Sequence, residues 1–315
     1  MNNVYLVWLE WAEKCFRVDA EALRYLKGVV PKGSRVVRVR SEVAFLKALP
    51  QATHAIVWNF DEAWFAKAPR LKVLATLAAG RELVPAKAPP GVTVHFGHFH
   101  GEIIGESVLG FMLCWAKGFF AVARAPKGCR AWPRTWLSER CFDVRGTRAV
   151  IVGYGHVGRS IGRRLEQMGV SVVGITRHGV YEGVGVRCRC TNLHFADWLI
   201  LALPSTTGTD NWLNAKTLAK LPRRCVVINV GRGNAIDEPA LVRALKTGRI
   251  AGAYLDVCQC EKSQVWAKRA QKKSARLIDP ANPKVPNLVL MPHSSCFSQR
   301  YVKLGLEELK NDGML

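Results

Sequence analysis

The sequence predicts an α/β protein made of two Rossmann-like domains, each a doubly wound parallel sheet, with a cleft between them. Short apolar runs alternate with helical stretches twice along the 315 residues, an alternation that is typical of parallel sheets. The apolar runs of the second half are continuous, as expected for strands buried on both faces. A glycine-rich turn at residues 153–158, between a strand and a helix, points to the same class.

The first hundred residues contain five predicted strands and two predicted helices. The strands are residues 4–9, 35–39, 55–58, 71–77 and 92–96, and the helices are residues 20–27 and 42–49. An apolar-rich stretch without proline then predicts one long helix over residues 102–121. A connector rich in Trp, Pro and Arg follows this helix as far as Arg145.

The second half of the chain repeats the alternation. Its predicted strands are residues 149–152, 171–176, 198–203, 225–230, 251–257 and 288–291. Helices predicted at residues 156–168, 214–220 and 238–247 fit between them, and a last helix is predicted over about residues 299–311. Two similar doubly wound halves are therefore implied.

The turn after the strand at 149–152 has the spacing G-x-G-x-x-G. Gly153 allows the tight turn, Gly155 lets the backbone approach a pyrophosphate, and Gly158 lets the next helix pack close to its strand. The start of that helix directs N–H groups and a positive dipole end at an anion. A glycine-rich loop without a ligand is the alternative, but the flanking strands favour a dinucleotide site.

The turn after the next strand predicts which dinucleotide binds. An NAD site places Asp or Glu there, whereas this chain has Thr176, Arg177 and His178 and no carboxylate before Glu182. Arg177 can bind a 2′-phosphate through paired hydrogen bonds. We therefore expect NADP(H), with NAD(H) as the alternative cofactor and a solvated Arg177 as the alternative interpretation.

Composition limits the other partners. The 46 Lys and Arg against 24 Asp and Glu give a net charge of +22, which attracts anionic substrates or nucleic acid. The basic residues are dispersed, and their one cluster, residues 262–276, contains no aromatic residue beyond Trp266, so we expect a solvated face and no nucleic-acid partner.

No apolar run reaches the roughly 18–20 residues of a membrane span. We expect a cytoplasmic protein, and residues 313–315 only partly resemble a peroxisomal-type tripeptide.

The ten cysteines include the pairs Cys188-x-Cys190 and Cys258-x-Cys260. This spacing is not that of zinc sites, which use C-x₂₋₄-C pairs with matching partners. We expect reduced thiols, no disulfide and no metal.

Candidate catalytic residues follow three strands of the second half. Arg232 follows residues 225–230, Asp256 and Glu261 lie at and after the end of residues 251–257, and His293 follows residues 288–291. Ligands bind at the carboxyl ends of the strands in open α/β sheets. An Arg, a Glu and a His at one rim can bind a carboxylate, tune an imidazole and deliver a proton.

Three motifs at these positions carry a resemblance. Residues 229–233 match N-x-x-R-G, residues 252–257 match G-A-x-L-D-V, and residues 291–293 match x-P-H. In this order and spacing, from about residue 71 to 295, the chain resembles the D-isomer-specific 2-hydroxyacid dehydrogenase family, in particular its glyoxylate/hydroxypyruvate reductases. The resemblance implies a nucleotide-binding domain at residues 104–293 and a discontinuous substrate domain of residues 1–103 plus 294–315.

The resemblance also implies residue roles. Arg232 would bind the substrate carboxylate and carbonyl, His293 would be the acid/base, and Glu261 would orient His293. Lys262 follows Glu261 where the family usually has proline, so a Glu261–Lys262 pair is the alternative. Further cofactor contacts would be His156, Val157, Leu203, Pro204, Thr209, Val230 and Asp256.

In the first domain, the resemblance places the substrate carboxylate at the backbone of Ala79, Gly80 and Arg81, where a glycine turn offers N–H groups. Arg81 could point into solvent instead. Trp58 resembles a pocket tryptophan of the reductases, and a place in the core is its alternative. Asp256 would lie beside the nicotinamide, with capping of its strand end as the alternative.

The activity that the resemblance implies is an NAD(P)-dependent oxidoreductase. It would transfer a hydride from NADPH to the carbonyl of a small 2-oxo acid, such as glyoxylate or hydroxypyruvate, and form a D-2-hydroxy acid. A homodimer formed through the nucleotide-binding domain is implied as well. The alternatives are a cofactor-sensing corepressor on the same scaffold and an NAD-dependent dehydrogenase of another 2-hydroxy acid.

Overall fold

The computed structural model describes residues 2–123, 132–182, 186–188, 193–259, 285 and 287–315, with the backbone alone at residues 123, 180–182 and 186–188. The chain forms two compact units. Unit 1 comprises Met1–His100 and Phe297–Leu315, and unit 2 comprises Gly101–Cys296. Within the described residues, no helix is both long and apolar enough to cross a membrane.

Unit 1 contains a five-stranded parallel sheet in the order β2-β1-β3-β4-β5. Its strands are β1 (Val4–Trp8), β2 (Arg35–Arg38), β3 (His54–Val57), β4 (Val73–Thr76) and β5 (Thr93–Phe96). Its helices, numbered along the whole chain, are α1 (Ala20–Val29), α2 (Glu42–Ala48) and α9 (Tyr301–Asn311).

Local sequence explains where the first helices of unit 1 begin. The Asp19 carboxylate accepts the Ala22 N–H at 2.7 Å, and the Ser41 hydroxyl accepts the Ala44 N–H at 3.3 Å. These are N-caps, which satisfy backbone donors that a helix leaves unpaired. The buried core below them includes Leu6, Phe45, Leu49, Val57, Phe60 and Leu74.

Unit 2 contains an eight-stranded sheet in the order β13-β12-β11-β10-β6-β7-β8-β9. The strands are β6 (Arg148–Val152), β7 (Ser171–Thr176), β8 (Gly179–Glu182), β9 (Val186–Cys188), β10 (Trp198–Leu201), β11 (Val226–Asn229), β12 (Gly252–Leu255) and β13 (Leu288–Leu290). The helices are α3 (His100–Ala116), α4 (Phe119–Ala123), α5 (Arg134–Ser138), α6 (His156–Gln167), α7 (Ala215–Leu218) and α8 (Glu238–Lys246).

The parallel strands of unit 2 are buried on both faces. Along β10, Leu199 and Leu201 belong to one apolar cluster, and Trp198 and Ile200 belong to the cluster on the other face. Six strands, from β13 to β7, are parallel to one another, and β8 and β9 add an antiparallel hairpin. The predicted class, two parallel-sheet α/β domains, is confirmed.

The predicted single helix over residues 102–121 was wrong. The chain instead forms α3 and α4, separated at Lys117 and Gly118. Gly118 has a φ of +72°, and a Cβ placed on it would lie 2.5 Å from Cδ1 of Leu137. A left-handed residue that leaves no space for a side chain ends the helix there. The short helix α5 and the β8–β9 hairpin were not predicted.

Candidate active site

The predicted functional residues of unit 2 lie at one edge of its sheet. The carboxyl ends of the six parallel strands share that edge. Gly153 follows β6, Arg177 follows β7, Leu203 follows β10, Arg232 follows β11, and Asp256 and His293 follow β12 and β13.

The glycine turn after β6 is compact. Gly153 has a φ of +91°, and a Cβ on it would lie 2.5 Å from the carbonyl oxygen of Ala202. A Cβ on Gly158 would lie 2.4 Å from the carbonyl oxygen of Gly153. Gly155, the N-cap of α6, has no heavy atom within 4 Å of its Cβ position. The turn therefore packs tightly against other protein atoms at Gly153 and Gly158 and leaves open space beside Gly155. This space fits a pyrophosphate at the helix start.

The residue between the first two glycines, Tyr154, fixes this turn in place. Its side chain is 3% exposed. A Cβ on Gly162 would lie 2.7 Å from the Tyr154 hydroxyl oxygen, and a Cβ on Gly174 would lie 2.2 Å from the Tyr154 ring. This contact was not predicted from the sequence, although the two glycines on α6 and β7 were signals of close packing.

His156 and Val157 form the first turn of α6. His156 is exposed and Val157 is half-buried. On the neighbouring strand, Leu203 and Pro204 continue the chain beyond β10, and the Thr209 hydroxyl donates to the Pro204 carbonyl at 2.7 Å. The segment 203–209 is therefore a closed turn at the same edge.

Arg177 and His178 form a two-residue turn between the antiparallel strands β7 and β8. Thr176 pairs with Gly179 in the ladder, and the Thr176 hydroxyl donates to the Gly179 carbonyl at 3.1 Å. Arg177 and His178 are exposed, and Nε of Arg177 donates to Nε2 of His178 at 2.9 Å. Within the described part of the chain, no carboxylate is paired with Arg177. The turn presents positive charge, which suits a phosphate.

Two glycines hold the Arg232 loop between its neighbours. A Cβ on Gly231 would lie 2.6 Å from the backbone nitrogen of Leu203, and a Cβ on Gly233 would lie 2.1 Å from the carbonyl carbon of Cys258. The backbone on either side of Arg232 therefore touches the ends of both adjacent strands. Only glycine permits this close approach. Val230, at the base of the loop, is buried.

Asn229 explains why an asparagine begins the N-x-x-R-G motif. It is fully buried. Its Oδ1 accepts the Gly231 N–H at 3.1 Å, and its Nδ2 donates to the Arg232 carbonyl at 3.2 Å. One amide side chain thus holds both ends of the turn that presents the Arg232 guanidinium.

Asp256 holds the loop that carries His293. Its carboxylate is 1% exposed and accepts the Ser294 N–H at 2.8 Å and the Ser295 N–H at 3.0 Å. The Ser295 hydroxyl donates to the same carboxylate. The His293 N–H donates to the Asp256 carbonyl at 2.9 Å, and His293 itself is exposed with a φ of +52°. Asp256 therefore holds the loop that follows β13, and its predicted place beside the nicotinamide stays a prediction.

In unit 1, the predicted substrate loop follows β4. The Ala78 N–H donates to the Thr76 hydroxyl at 3.2 Å and turns the chain outward. Among the described residues, none accepts the backbone N–H groups of Ala79, Gly80 or Arg81. The Arg81 guanidinium lies 5.3 Å from the centroid of the Phe96 ring. Three N–H groups that have no acceptor among the described residues are suited to an anion.

Trp58 lies in an aromatic cluster of unit 1. It is 5% exposed and packs against Trp11, Phe16 and Tyr301. Its indole N–H donates to the Phe16 carbonyl at 2.9 Å. The structure thus gives Trp58 a packing role, and its predicted place in a substrate pocket stays a prediction.

Some predicted residues lie outside the described residues, among them Glu261, Lys262, the basic cluster 262–276, Cys190 and Cys260. Six of the described cysteines, at positions 15, 114, 141, 225, 258 and 296, form no disulfide with another described residue. Burial raises the pKa of the Cys225 thiol to about 12, so it stays protonated. One His–carboxylate group occurs in the described part, where His95, Glu308 and Asp312 offer atoms within 4.8 Å of one another. The absence of a metal stays a prediction.

Comparison with known proteins identifies the family. Residues 109–295 match the family model described as D-isomer specific 2-hydroxyacid dehydrogenase, NAD binding domain. Glycerate dehydrogenase of Methylorubrum extorquens is 29% identical over 248 residues, which are 76% of this chain and 74% of that protein. Glyoxylate/hydroxypyruvate reductase B of Pectobacterium carotovorum is 30% identical over 256 residues, 76% of this chain and 75% of that protein.

A solved structure agrees with these matches. The NADPH-dependent glyoxylate/hydroxypyruvate reductase of Sinorhizobium meliloti has a TM-score of 0.65 and 26% identity, over 99% of this chain and 94% of that one. Because the matched model covers more than half of the sequence, the protein belongs to the D-isomer-specific 2-hydroxyacid dehydrogenase family and is an oxidoreductase with a nicotinamide-cofactor domain.

Proposed function

We propose that the protein reduces the carbonyl of a small 2-oxo acid with NADPH and releases a D-2-hydroxy acid. Glyoxylate and hydroxypyruvate are the first candidates, because reductases of these acids are among its relatives. The observation that carries the proposal is the shared sheet edge. Arg232 and His293 follow β11 and β13 at the edge where the glycine turn follows β6.

The bound nicotinamide nucleotide supplies the hydride. Arg232 binds the planar carboxylate of the 2-oxo acid, since a guanidinium matches it through two parallel hydrogen bonds. His293, protonated, donates its proton to the carbonyl oxygen as negative charge develops there. Glu261 favours the protonated imidazole and fixes its orientation. The backbone N–H groups of residues 79–81 are additional donors to the substrate carboxylate.

The residues that would hold NADPH follow from the same edge. The turn 153–158 and the start of α6 receive the pyrophosphate. Arg177, with Thr176 and His178, receives the 2′-phosphate, which distinguishes NADPH from NADH. In this assignment residues 104–293 bind the nucleotide and residues 1–103 with 294–315 contribute to substrate binding. A homodimer is part of the proposal, and light scattering at working concentration tests it.

The decisive experiment is a panel of 2-oxo acids assayed with NADPH and with NADH. Glyoxylate, hydroxypyruvate, pyruvate and 2-oxoglutarate cover short, hydroxylated, methylated and dicarboxylic acids. We expect the highest kcat/KM with NADPH and an acid of two or three carbons. Higher kcat/KM with NADH would overturn the cofactor assignment. Tight NADPH binding without turnover of any acid would overturn the reductase and support a cofactor sensor.

A further inference from the structure

Glu238 is a buried carboxylate that the proposed mechanism does not use. It is 4% exposed and is the first residue of α8, which begins five residues after Gly233. Its Oε1 accepts the backbone N–H of Gln259 at 2.7 Å. A carboxylate is seldom buried unless hydrogen bonds compensate for its lost hydration. The contact with Gln259 is such a compensation, and it joins residues that are 21 positions apart.

A second hydrogen bond joins the same two segments. The Gln259 side chain donates from Nε2 to the Ile236 carbonyl at 2.6 Å. Gln259 is thus held through its backbone by Glu238 and through its side chain by Ile236. The chain that leaves β12 is therefore fastened to the segment between the Arg232 loop and α8.

The fastened segment lies directly against the Arg232 loop. A Cβ on Gly233 would lie 2.1 Å from the carbonyl carbon and 2.2 Å from the carbonyl oxygen of Cys258. Any shift of Cys258 and Gln259 away from this position removes the surface on which Gly233 rests. Arg232 immediately precedes Gly233, and Glu261 follows Gln259 by two residues.

We infer that Glu238 is a positioning residue for the reaction: through the Gln259 N–H it keeps the backbone of residues 258–259 against Gly233 and so fixes the direction of Arg232. The inference rests on the proposed substrate-binding role of Arg232. A displacement of about 1 Å at a positioning contact lowers turnover by roughly 10²-fold in well-organised sites, so the loss of one such contact is measurable.

The chain offers matched variants. Glu238→Ala removes the acceptor of the Gln259 N–H. Glu238→Gln keeps an acceptor oxygen on a side chain of the same length, so it should restore the contact. Asp237→Ala removes the neighbouring N-cap of α8, whose carboxylate accepts the Ala240 N–H at 3.0 Å. It weakens the same helix start, and Asp237 has no assigned role in the site.

The measurements are KM and kcat for glyoxylate, the dissociation constant of NADPH by fluorescence, and the thermal midpoint. We expect Glu238→Ala to raise KM for glyoxylate at least tenfold with NADPH affinity within twofold of wild type. Glu238→Gln should stay within about threefold of wild type. Asp237→Ala should lower the thermal midpoint and leave both kinetic constants unchanged.

Equal kinetics for wild type and Glu238→Ala would overturn the inference, and so would equal KM increases in Glu238→Ala and Asp237→Ala. Gln259→Pro tests the inference at an exposed residue if Glu238→Ala does not fold. It removes the N–H that Glu238 accepts and should raise KM a few-fold, whereas an unchanged KM contradicts the inference. Arg232→Lys separates the two proposals. If it lowers kcat/KM while Glu238→Ala does not, only this inference fails; if it has no effect, the proposed function fails.

Discussion

Asn229 and Asp256 each hold the backbone of a loop that presents a side chain with a proposed role in the reaction. Both are almost fully buried, and both accept hydrogen bonds from backbone N–H groups one or two residues from Arg232 or His293. The proposed roles of Arg232 and His293 could be predicted from the sequence, because each residue follows a strand, lies in a motif and has a side chain that suits the chemistry. The role of Asp256 could not be predicted in the same way, because its partners Ser294 and Ser295 are 38 and 39 residues away and meet it only in the folded sheet. The partners of Asn229 are two and three residues away, so its role depends on the conformation of the turn.

Arg177 is the residue on which the cofactor prediction depends. Arg177→Ala should raise KM for NADPH by the equivalent of about 1–3 kcal/mol, because a charge-assisted contact to the 2′-phosphate is lost. KM for NADH should hardly change. Arg134→Ala, which removes another exposed positive charge of unit 2, is the control and should leave both constants unchanged. Equal effects of Arg177→Ala on NADPH and NADH would contradict the assignment.

The pH dependence of reduction tests His293. The rate should fall as the pH rises, because reduction needs the protonated imidazole, and oxidation of the hydroxy acid should show the opposite dependence. Glu261→Gln should move the falling limb of reduction to lower pH, since a nearby carboxylate favours the imidazolium. His293→Ala should nearly abolish turnover. If Glu261→Gln does not change the pH profile of kcat/KM, Glu261 is paired with Lys262 instead of His293.

His54 makes the stability of unit 1 depend on pH. Burial, assisted by the charge of Lys72, lowers the pKa of His54 to about 4, while the unfolded chain takes up a proton near pH 6.5. The contribution of neutral His54 to the free energy of unfolding is complete above pH 6.5. It is lost as the pH falls toward 4, by up to about 3 kcal/mol. His54→Phe, which keeps a ring against Tyr5, should lose less stability between pH 7.5 and 5 in urea titrations. Parallel losses in both proteins would refute the assignment.

The elements differ in how far their sequences determine them. The continuous apolar runs of the parallel strands could be predicted because both faces of each strand are buried. The β7–β8 hairpin escaped prediction because its turn, Arg177-His178, lacks the Asn-Gly or Gly-rich sequence that is typical of two-residue hairpins. The end of α3 escaped because a single glycine is tolerated in a helix, and only the packing of Leu137 makes Gly118 a boundary.

Two glycines near the α3–α4 junction form a matched pair. Gly118→Ala should destabilise unit 2 by more than about 1 kcal/mol, because φ is +72° and Leu137 occupies the Cβ position. Gly110→Ala, inside α3 and with no heavy atom within 4 Å of its Cβ position, should stabilise by about 0.5–1 kcal/mol. Thermal midpoints measure both. Changes of the same sign would show that the junction is not fixed by Gly118.

At the scale of the whole molecule, the presence of two parallel sheets could be predicted from the sequence. The excess of positive charge is a second property of the whole molecule, and it has a consequence for ligand binding. The protein carries a net charge of +22, and its proposed substrate and cofactor are both anionic. A positive potential raises the local concentration of such ligands and their association rates. Salt screens it, since the Debye length is about 8 Å at 0.15 M ionic strength.

The charge therefore predicts a salt effect on catalysis. Raising NaCl from 10 to 500 mM, concentrations chosen for the test, should lower kcat/KM for glyoxylate several-fold with a smaller change in kcat, because capture is screened and chemistry is not. An uncharged solute of equal osmolality is the control. A kcat/KM independent of salt would show that the field does not assist capture.

The two-residue turn at Arg177 and His178 has a consequence for how this enzyme could diversify. Thr176 and Gly179 fix both ends of the turn in the β7–β8 ladder, while Arg232 and His293 follow β11 and β13, beyond β6 and β10 in the sheet. Under the proposed function, cofactor preference is therefore set by a turn that is separate from the proposed substrate-binding and acid/base residues. Substitution of this turn alone could then change the nucleotide that supplies the hydride without changing the residues proposed to bind the acid and donate its proton.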